Sequence, residues 1–183
     1  MENVKKKKAA LRKLTITAMG IALFVVMTLC LQVPVFENYY LCLGYVAMTF
    51  YCYAIGTASG TIVGTFGVIL YCLLTGGTKG MPGWAAGNLV LGIILGITFW
   101  LVRKIKKTVL EGLISTVVII MATAFAMLVV KSYVEYLLYY EPFVLRVAKN
   151  IYAFVADAFV IIISLPICRL LEPKLKAITS KYF

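Results

Sequence analysis

The sequence has no histidine and only seven carboxylates, and these two shortages remove most catalytic chemistry at once. Without an imidazole there is no His-assisted serine or cysteine nucleophile, no HExxH zinc site and no histidine-ligated haem. A GxxxxGK[ST] phosphate loop is also missing, so the chain has no P-loop with which to bind and hydrolyse ATP. The carboxylates are Glu2, Glu37, Glu111, Glu135, Glu141, Asp157 and Glu172. Only Glu135 and Asp157 fall at or near membrane depth, on different helices, so the two-aspartate centre of an intramembrane protease cannot form. The cysteines, Cys30, Cys42, Cys52, Cys72 and Cys168, are odd in number and lie in apolar stretches without CxxC spacing. They give neither a disulfide framework nor a zinc site and read as small buried packers. No catalytic residue, metal ligand or cofactor is expected.

What the sequence has in abundance is apolar length: 63% of its 183 residues are hydrophobic and the mean hydropathy is +0.99. Such a chain needs a bilayer as solvent, and each crossing of the ~30 Å hydrocarbon core takes roughly 20 apolar residues. The runs divide into six spans, about 14–33, 41–55, 61–75, 83–102, 109–131 and 143–171. The second is short and aromatic-rich, the fifth has a helical pattern that continues to Tyr139, and the sixth is long enough to tilt. Pro34 to Tyr40 and Gly76 to Pro82 are read as outer loops, and Gly56 to Gly60 as a cytoplasmic turn. The fold class is an all-α membrane protein of six transmembrane helices. It forms one membrane domain over 1–183, with a basic N-terminus (1–13), the bundle (14–171) and a tail (172–183). The first apolar run exceeds a signal-peptide core and lacks a small-x-small cleavage site, so it is read as a retained helix.

The net charge of +11 is distributed by topology rather than gathered for nucleic acid. Lys5, Lys6, Lys7, Lys8, Arg12 and Lys13 precede the first run, Arg103, Lys104, Lys106 and Lys107 occupy one loop, and Arg169, Lys174, Lys176 and Lys181 follow the last run. Six spans place all three clusters on one side, which the positive-inside rule makes cytoplasmic together with both termini. Attraction to anionic lipid follows from the same clusters.

Polar residues at membrane depth are costly and mark candidate function. Lys131 lies about 33 Å along the fifth helix from Val109, near the outer boundary, with Glu135 one turn further on the same face. The two either pair at the interface, or Lys131 faces a pocket. Arg146, Asn150, Ala153 and Asp157 form one stripe on the last helix, and Asp157 is too deep to snorkel. Trp84 and Asn88 are an i, i+4 pair in the fourth. Three helices therefore offer polar groups in the outer half, and Trp84, Asn88, Lys131, Glu135, Arg146, Asn150 and Asp157 are the candidate substrate-binding residues. Gly56/Gly60/Gly64, Gly83/Gly87 and Gly92/Gly96 recur four apart and mark close helix contacts.

With these features the chain resembles the substrate-binding S-components of energy-coupling factor (ECF) vitamin transporters. The resemblance is carried by Ala18-Met19-Gly20-Ile21-Ala22, which matches the AxxxA element of the first helix. It is carried also by the stretch Leu43-Gly44 … Gly56 … Gly60 … Gly64 … Leu74-Thr75-Gly76-Gly77 … Pro82-Gly83 … Asn88. Leu43-Gly44-Tyr45 stands where some members have Leu-Gly-Asp, and no binding residue is carried over. The resemblance implies a bacterial cell-membrane subunit that captures a vitamin from outside. It implies work with a transmembrane coupling subunit and two ATPase subunits, with Ala18 and Ala22 on the docking face. Among vitamins, pantothenate would use a cation such as Lys131, Arg146, Lys149 or Lys79. A neutral ring such as hydroxymethylpyrimidine or pyridoxine would use Trp84, Asn88, Asn150 and tyrosines. The basic groups at the outer end tilt the reading to pantothenate. The rival class, a self-sufficient secondary transporter or channel, would often show an internal repeat; none is evident between 14–75 and 83–171.

Overall fold

The computed structural model describes residues 2–30, 33–36, 39–104 and 108–182, with side chains at 7, 9–30, 41–104 and 109–171. Glu37, Lys106 and Lys107, to which the sequence assigns loop positions, lie outside the described residues. The elements in chain order are α1 (Glu2–Cys30), β1 (Val33–Phe36), β2 (Tyr39–Leu41), α2 (Gly44–Ala54), α3 (Thr57–Thr75) and α4 (Met81–Val102). After these come α5 (Thr108–Ala124), a π-helical segment (Phe125–Lys131), α6 (Ser132–Tyr139) and α7 (Phe143–Tyr182).

The all-α membrane class holds, with five helices among the described residues long and apolar enough to cross a bilayer. Outward-facing Leu73, Leu74, Ile97, Trp100, Leu113, Met121 and Phe159 leave an apolar exterior that suits lipid. The second span differs from its sequence boundaries. Its helix is the 11-residue α2, about 16 Å long. The residues before it form an antiparallel hairpin, Val33 opposite Leu41, in place of the plain outer loop expected over Pro34 to Tyr40. Pro34 and the aromatic, β-branched composition of this stretch favour extended backbone over helix. At that length α2 falls short of a full crossing and is not one of the five. Its start packs at Thr28 and Phe24 of α1, and its end reaches Arg103, whose guanidinium donates to the Tyr53 carbonyl and stacks 4.5 Å from the Tyr53 ring.

Three other boundaries shift for identifiable reasons. Only Ile55 and Gly56 separate α2 from α3, so Gly60 belongs to α3 rather than to a turn; Gly56 takes φ +123°, open only to glycine in practice. Pro82, expected in a loop, sits in the first turn of α4, where its missing N–H costs nothing. The last helix continues through the basic tail to Tyr182. Left-handed residues close two helices, Gly76 after α3 and Tyr140 after α6.

The glycine spacing is the packing device it resembles, with one exception. A Cβ at Gly60 would lie 2.5 Å from Cys52 N and 2.7 Å from Cys52 Cα, so α2 and α3 touch backbone to backbone. Across the α3–α4 contact, a Cβ at Gly92 would lie 2.7 Å from Thr61 Cα and one at Gly96 2.5 Å from Thr57 Cα. Gly83 and Gly87 face α6 and the π segment. Gly56 faces open space and serves the turn instead. Four cysteines are buried and Cys30 is exposed.

These distances predict that Gly60→Val separates α2 from α3, because backbone cannot yield as a flexible side chain can. The cost is expected at about 3 kcal/mol or more, the upper end for overpacking, read as a lowered thermal midpoint of the detergent-solubilised protein. Gly80→Ala, which meets nothing within 4 Å, is the neutral control.

Candidate substrate-binding site

The packing of the short α2 against α3 and α4 places the Tyr45 ring, fully buried, at the centre of the outer half. Trp84 Nε1 donates to the Tyr45 hydroxyl at 2.8 Å, and that hydroxyl donates to Asn88 Oδ1 at 2.8 Å. Asn88 Nδ2 donates to the Gly64 carbonyl at 3.0 Å, which fixes which end of the amide faces Tyr45. Asp157 of α7 is buried as well. Tyr71 packs edge-on to Trp84 with ring centroids 5.7 Å apart, and Phe24 packs edge-on to Tyr45. One phenol thus joins α2 and α4 within an aromatic wall.

A second buried polar cluster lies further out, between α6 and α7. Asn150 Nδ2 donates to Ser132 Oγ at 3.0 Å and to Glu135 Oε2 at 3.1 Å. Arg146 lies 3.6 Å from Glu135 and 2.8 Å from Glu141, and Lys149 lies 3.4 Å from Glu141. The helical stripe on α7 therefore does what its spacing indicates: Arg146, Asn150 and Asp157 all turn into the bundle. The interface pairing of Lys131 with Glu135 is not formed. Glu135 takes Arg146 as its ion-pair partner and accepts from Asn150.

A π turn inserts an extra residue and rotates the next stretch of helix relative to a regular α-helix. Here it runs over Phe125–Lys131 and ends on the lysine. Lys131 Cβ comes 3.6 Å from where a Gly87 Cβ would stand, so the side chain departs towards α4. Among the described residues Lys131 makes no ion pair within 4.0 Å. Glu135, one turn on, also meets α4, under Gly83, and its carboxylate is taken by Arg146 and Asn150 of α7. The structure thus brings Trp84 and Asn88 together at Tyr45, with Lys131 against α4 at Gly87 and Asp157 buried on α7. Glu135, Arg146 and Asn150 form an adjoining pairing network.

The chain matches the model of the family described as ECF-type riboflavin transporter, S component, over residues 8–172. It belongs to this family. As an S-component it is a multi-pass protein of the bacterial cell membrane that serves transport. Among curated proteins none matches the chain significantly.

In this S-component the outer residue that sequence reasoning did not single out is Tyr45, counted only among the aromatics of the second span. Its one signal was its place directly after Leu43-Gly44. Ser132 and the π turn had no signal in composition or spacing.

The second cluster makes a clear prediction. Arg146→Met strands Glu135 as a buried, unpaired carboxylate and is expected to destabilise by about 3–5 kcal/mol. Lys149→Met removes only a half-exposed partner of Glu141 and should cost less than about 1 kcal/mol. Thermal unfolding of the two variants in one detergent compares them; equal effects would show that Glu135 does not depend on Arg146.

Proposed function

We propose that this S-component captures a neutral, flat vitamin from outside, riboflavin first among them, and delivers it through a coupling subunit driven by two ATPase subunits. The observation that carries the reading is the charge balance of the outer half. By the sequence, Lys79, Lys131, Arg146 and Lys149 stand against Glu37, Glu135, Glu141 and Asp157 in that half, four charges of each sign. Arg146 and Lys149 are occupied by carboxylates, and Lys79 lies over the Tyr139 ring at 5.7 Å. The surplus of cations that favours pantothenate in the sequence is thus largely spent inside the protein. A balanced site suits a neutral ligand with both donors and acceptors.

Riboflavin meets that description chemically. Its ring carbonyls accept from an ammonium, its ring N–H and ribityl hydroxyls donate to a carboxylate or amide, and its apolar edge suits aromatic walls. In this reading Lys131 meets a ring carbonyl, Asp157 and Asn88 take the donors, and Trp84, Tyr45 and Tyr71 supply the walls. The family description points the same way. Pantothenate is kept as a second reading because Lys131 has no ion-pair partner among the described residues and could take a carboxylate. No step of this proposal requires catalysis by the chain itself, and the ATPase chemistry belongs to its partners.

Ala18 and Ala22 are exposed on α1 beside Met19, Leu23 and Val26, a strip with a shallow, small-residue floor. Under the proposal this strip docks the coupling subunit, whose helix approaches closely where the side chains are methyl groups.

Two outcomes are expected. Riboflavin fluorescence should be quenched on titration with the purified subunit, and pantothenate should not compete. Lys131→Met should weaken riboflavin about 10- to 100-fold, the equivalent of losing one charge-assisted hydrogen bond of about 1.5–3 kcal/mol. Pantothenate binding that disappears in Lys131→Met would instead establish the second reading, and calorimetry with hydroxymethylpyrimidine and pyridoxine covers the other neutral rings. Separately, Ala18→Trp and Ala22→Trp should keep ligand binding to the isolated subunit and abolish ATP-dependent uptake. Uptake by the chain alone, without ATPase subunits, would replace the proposal with a secondary transporter.

A further inference from the structure

On the opposite side of the molecule from the substrate site, a groove of about 650 Å³ opens between the cytoplasmic halves of α5 and α7. Gly112 and Thr116 line it from α5, and Ile162, Pro166, Arg169 and Leu170 from α7. Its margins are apolar and outward-facing: Leu113, Val117, Ile163 and Leu170 are among the exposed large hydrophobics. Thr116 turns its hydroxyl back to the Gly112 carbonyl at 2.9 Å, leaving the floor apolar. The groove therefore faces the acyl chains of the inner leaflet along its length.

The one charged residue that lines it sits at its cytoplasmic end. Arg169 follows Phe143 by 26 residues, about 39 Å along α7, which puts the guanidinium at headgroup level. It rests over Gly112, whose missing side chain leaves the guanidinium Nη2 3.5 Å from where a Cβ would stand. Glu111 approaches one edge of it at 3.5 Å, a long contact that steadies the group and leaves its other N–H donors free of that partner. The surrounding sequence adds Arg103, Lys104, Lys106, Lys107, Lys174 and Lys176 against only Glu111 and Glu172. A planar guanidinium at the mouth of an apolar groove matches a phosphodiester attached to acyl chains, because it donates two parallel hydrogen bonds to phosphate oxygens. Basic pockets between membrane helices on the cytoplasmic side bind anionic headgroups on this principle.

We infer that the α5–α7 groove is a binding site for an anionic inner-leaflet phospholipid, its phosphate on Arg169 and one acyl chain along Gly112, Thr116 and Ile162. The site is separate from the substrate reading and stands or falls without it. Lipid binding here would stabilise the α5–α7 contact at the end remote from the substrate.

The test is native mass spectrometry of the full chain in micelles carrying equal phosphatidylglycerol and phosphatidylcholine. The wild type is expected to retain phosphatidylglycerol about tenfold over phosphatidylcholine. Arg169→Gln should abolish that preference, with Arg169→Lys keeping part of it. Gly112→Leu, whose Cβ has room but whose branch enters the groove, should lower retention of both lipids. Lys79→Gln, on the outer side, should change neither. Thermal unfolding in micelles without the anionic lipid identifies any variant that fails to fold. Equal retention of the two lipids by the wild type, or an unchanged preference in folded Arg169→Gln, overturns the inference. So does a photoreactive side chain at Ile163 that cross-links to the coupling subunit, and not to lipid, in the assembled transporter.

Discussion

Lipid tails are as apolar as leucine, so nothing like the hydrophobic effect presses membrane helices together, and the bundle rests on how closely backbones can approach. The contact that sets the rest is α3 held between α2 and α4 through Gly60, Gly64, Gly92 and Gly96. An 11-residue helix has little surface of its own to bury. α2 keeps its place because Cys52 and Met48 fill the notches that Gly60 and Gly64 leave in α3. That placement determines where Tyr45 lies, and through Tyr45 where Trp84 and Asn88 are held. A side chain at Gly60 would therefore reach the substrate site without touching it.

Within this frame the polar groups obey a rule of the low-dielectric interior: each buried donor or acceptor needs a partner, because none comes from lipid. Tyr45 satisfies Trp84 and one end of Asn88, and the Gly64 carbonyl takes the other end. Asn150 bridges Ser132 and Glu135, which in turn faces Arg146. Most of these groups are saturated within the protein. Lys131 differs, since it makes no ion pair within 4.0 Å among the described residues. A pairing network fixes structure, whereas an incompletely paired charge is where a ligand gains most.

Much of this was legible in the sequence, since hydropathy, charge clusters and i, i+4 spacing report directly on a bilayer. The α7 stripe is the clearest case. Arg146, Asn150 and Asp157 repeat at helical intervals, and a continuous α-helix carries that spacing unaltered into three dimensions. Trp84 and Asn88 are legible for the same reason. The partner of Glu135 was not, because Arg146 and Asn150 reach it from another helix and no spacing along the chain reports that. The π segment had no signal either, since Phe125–Lys131 has no glycine, proline or uncharged polar residue to announce it. The hairpin before α2 escaped for a different reason. In a chain this apolar, hydropathy alone cannot separate extended from helical backbone, and only Pro34 hinted at the difference.

The pairing around Glu135 also bears on the function proposed above. Lys131 and Glu135 stand one α-helical turn apart and both come against α4, Lys131 Cβ near Gly87 and Glu135 under Gly83. The stripe on α7 brings Arg146 and Asn150 to the Glu135 carboxylate, so that carboxylate is engaged across the helix contact. Lys131 is left without an ion pair among the described residues. Under the proposed function that ammonium is the donor to a ring carbonyl and Asp157 an acceptor for ring N–H groups, and a neutral ring can use both without leaving either ion uncompensated.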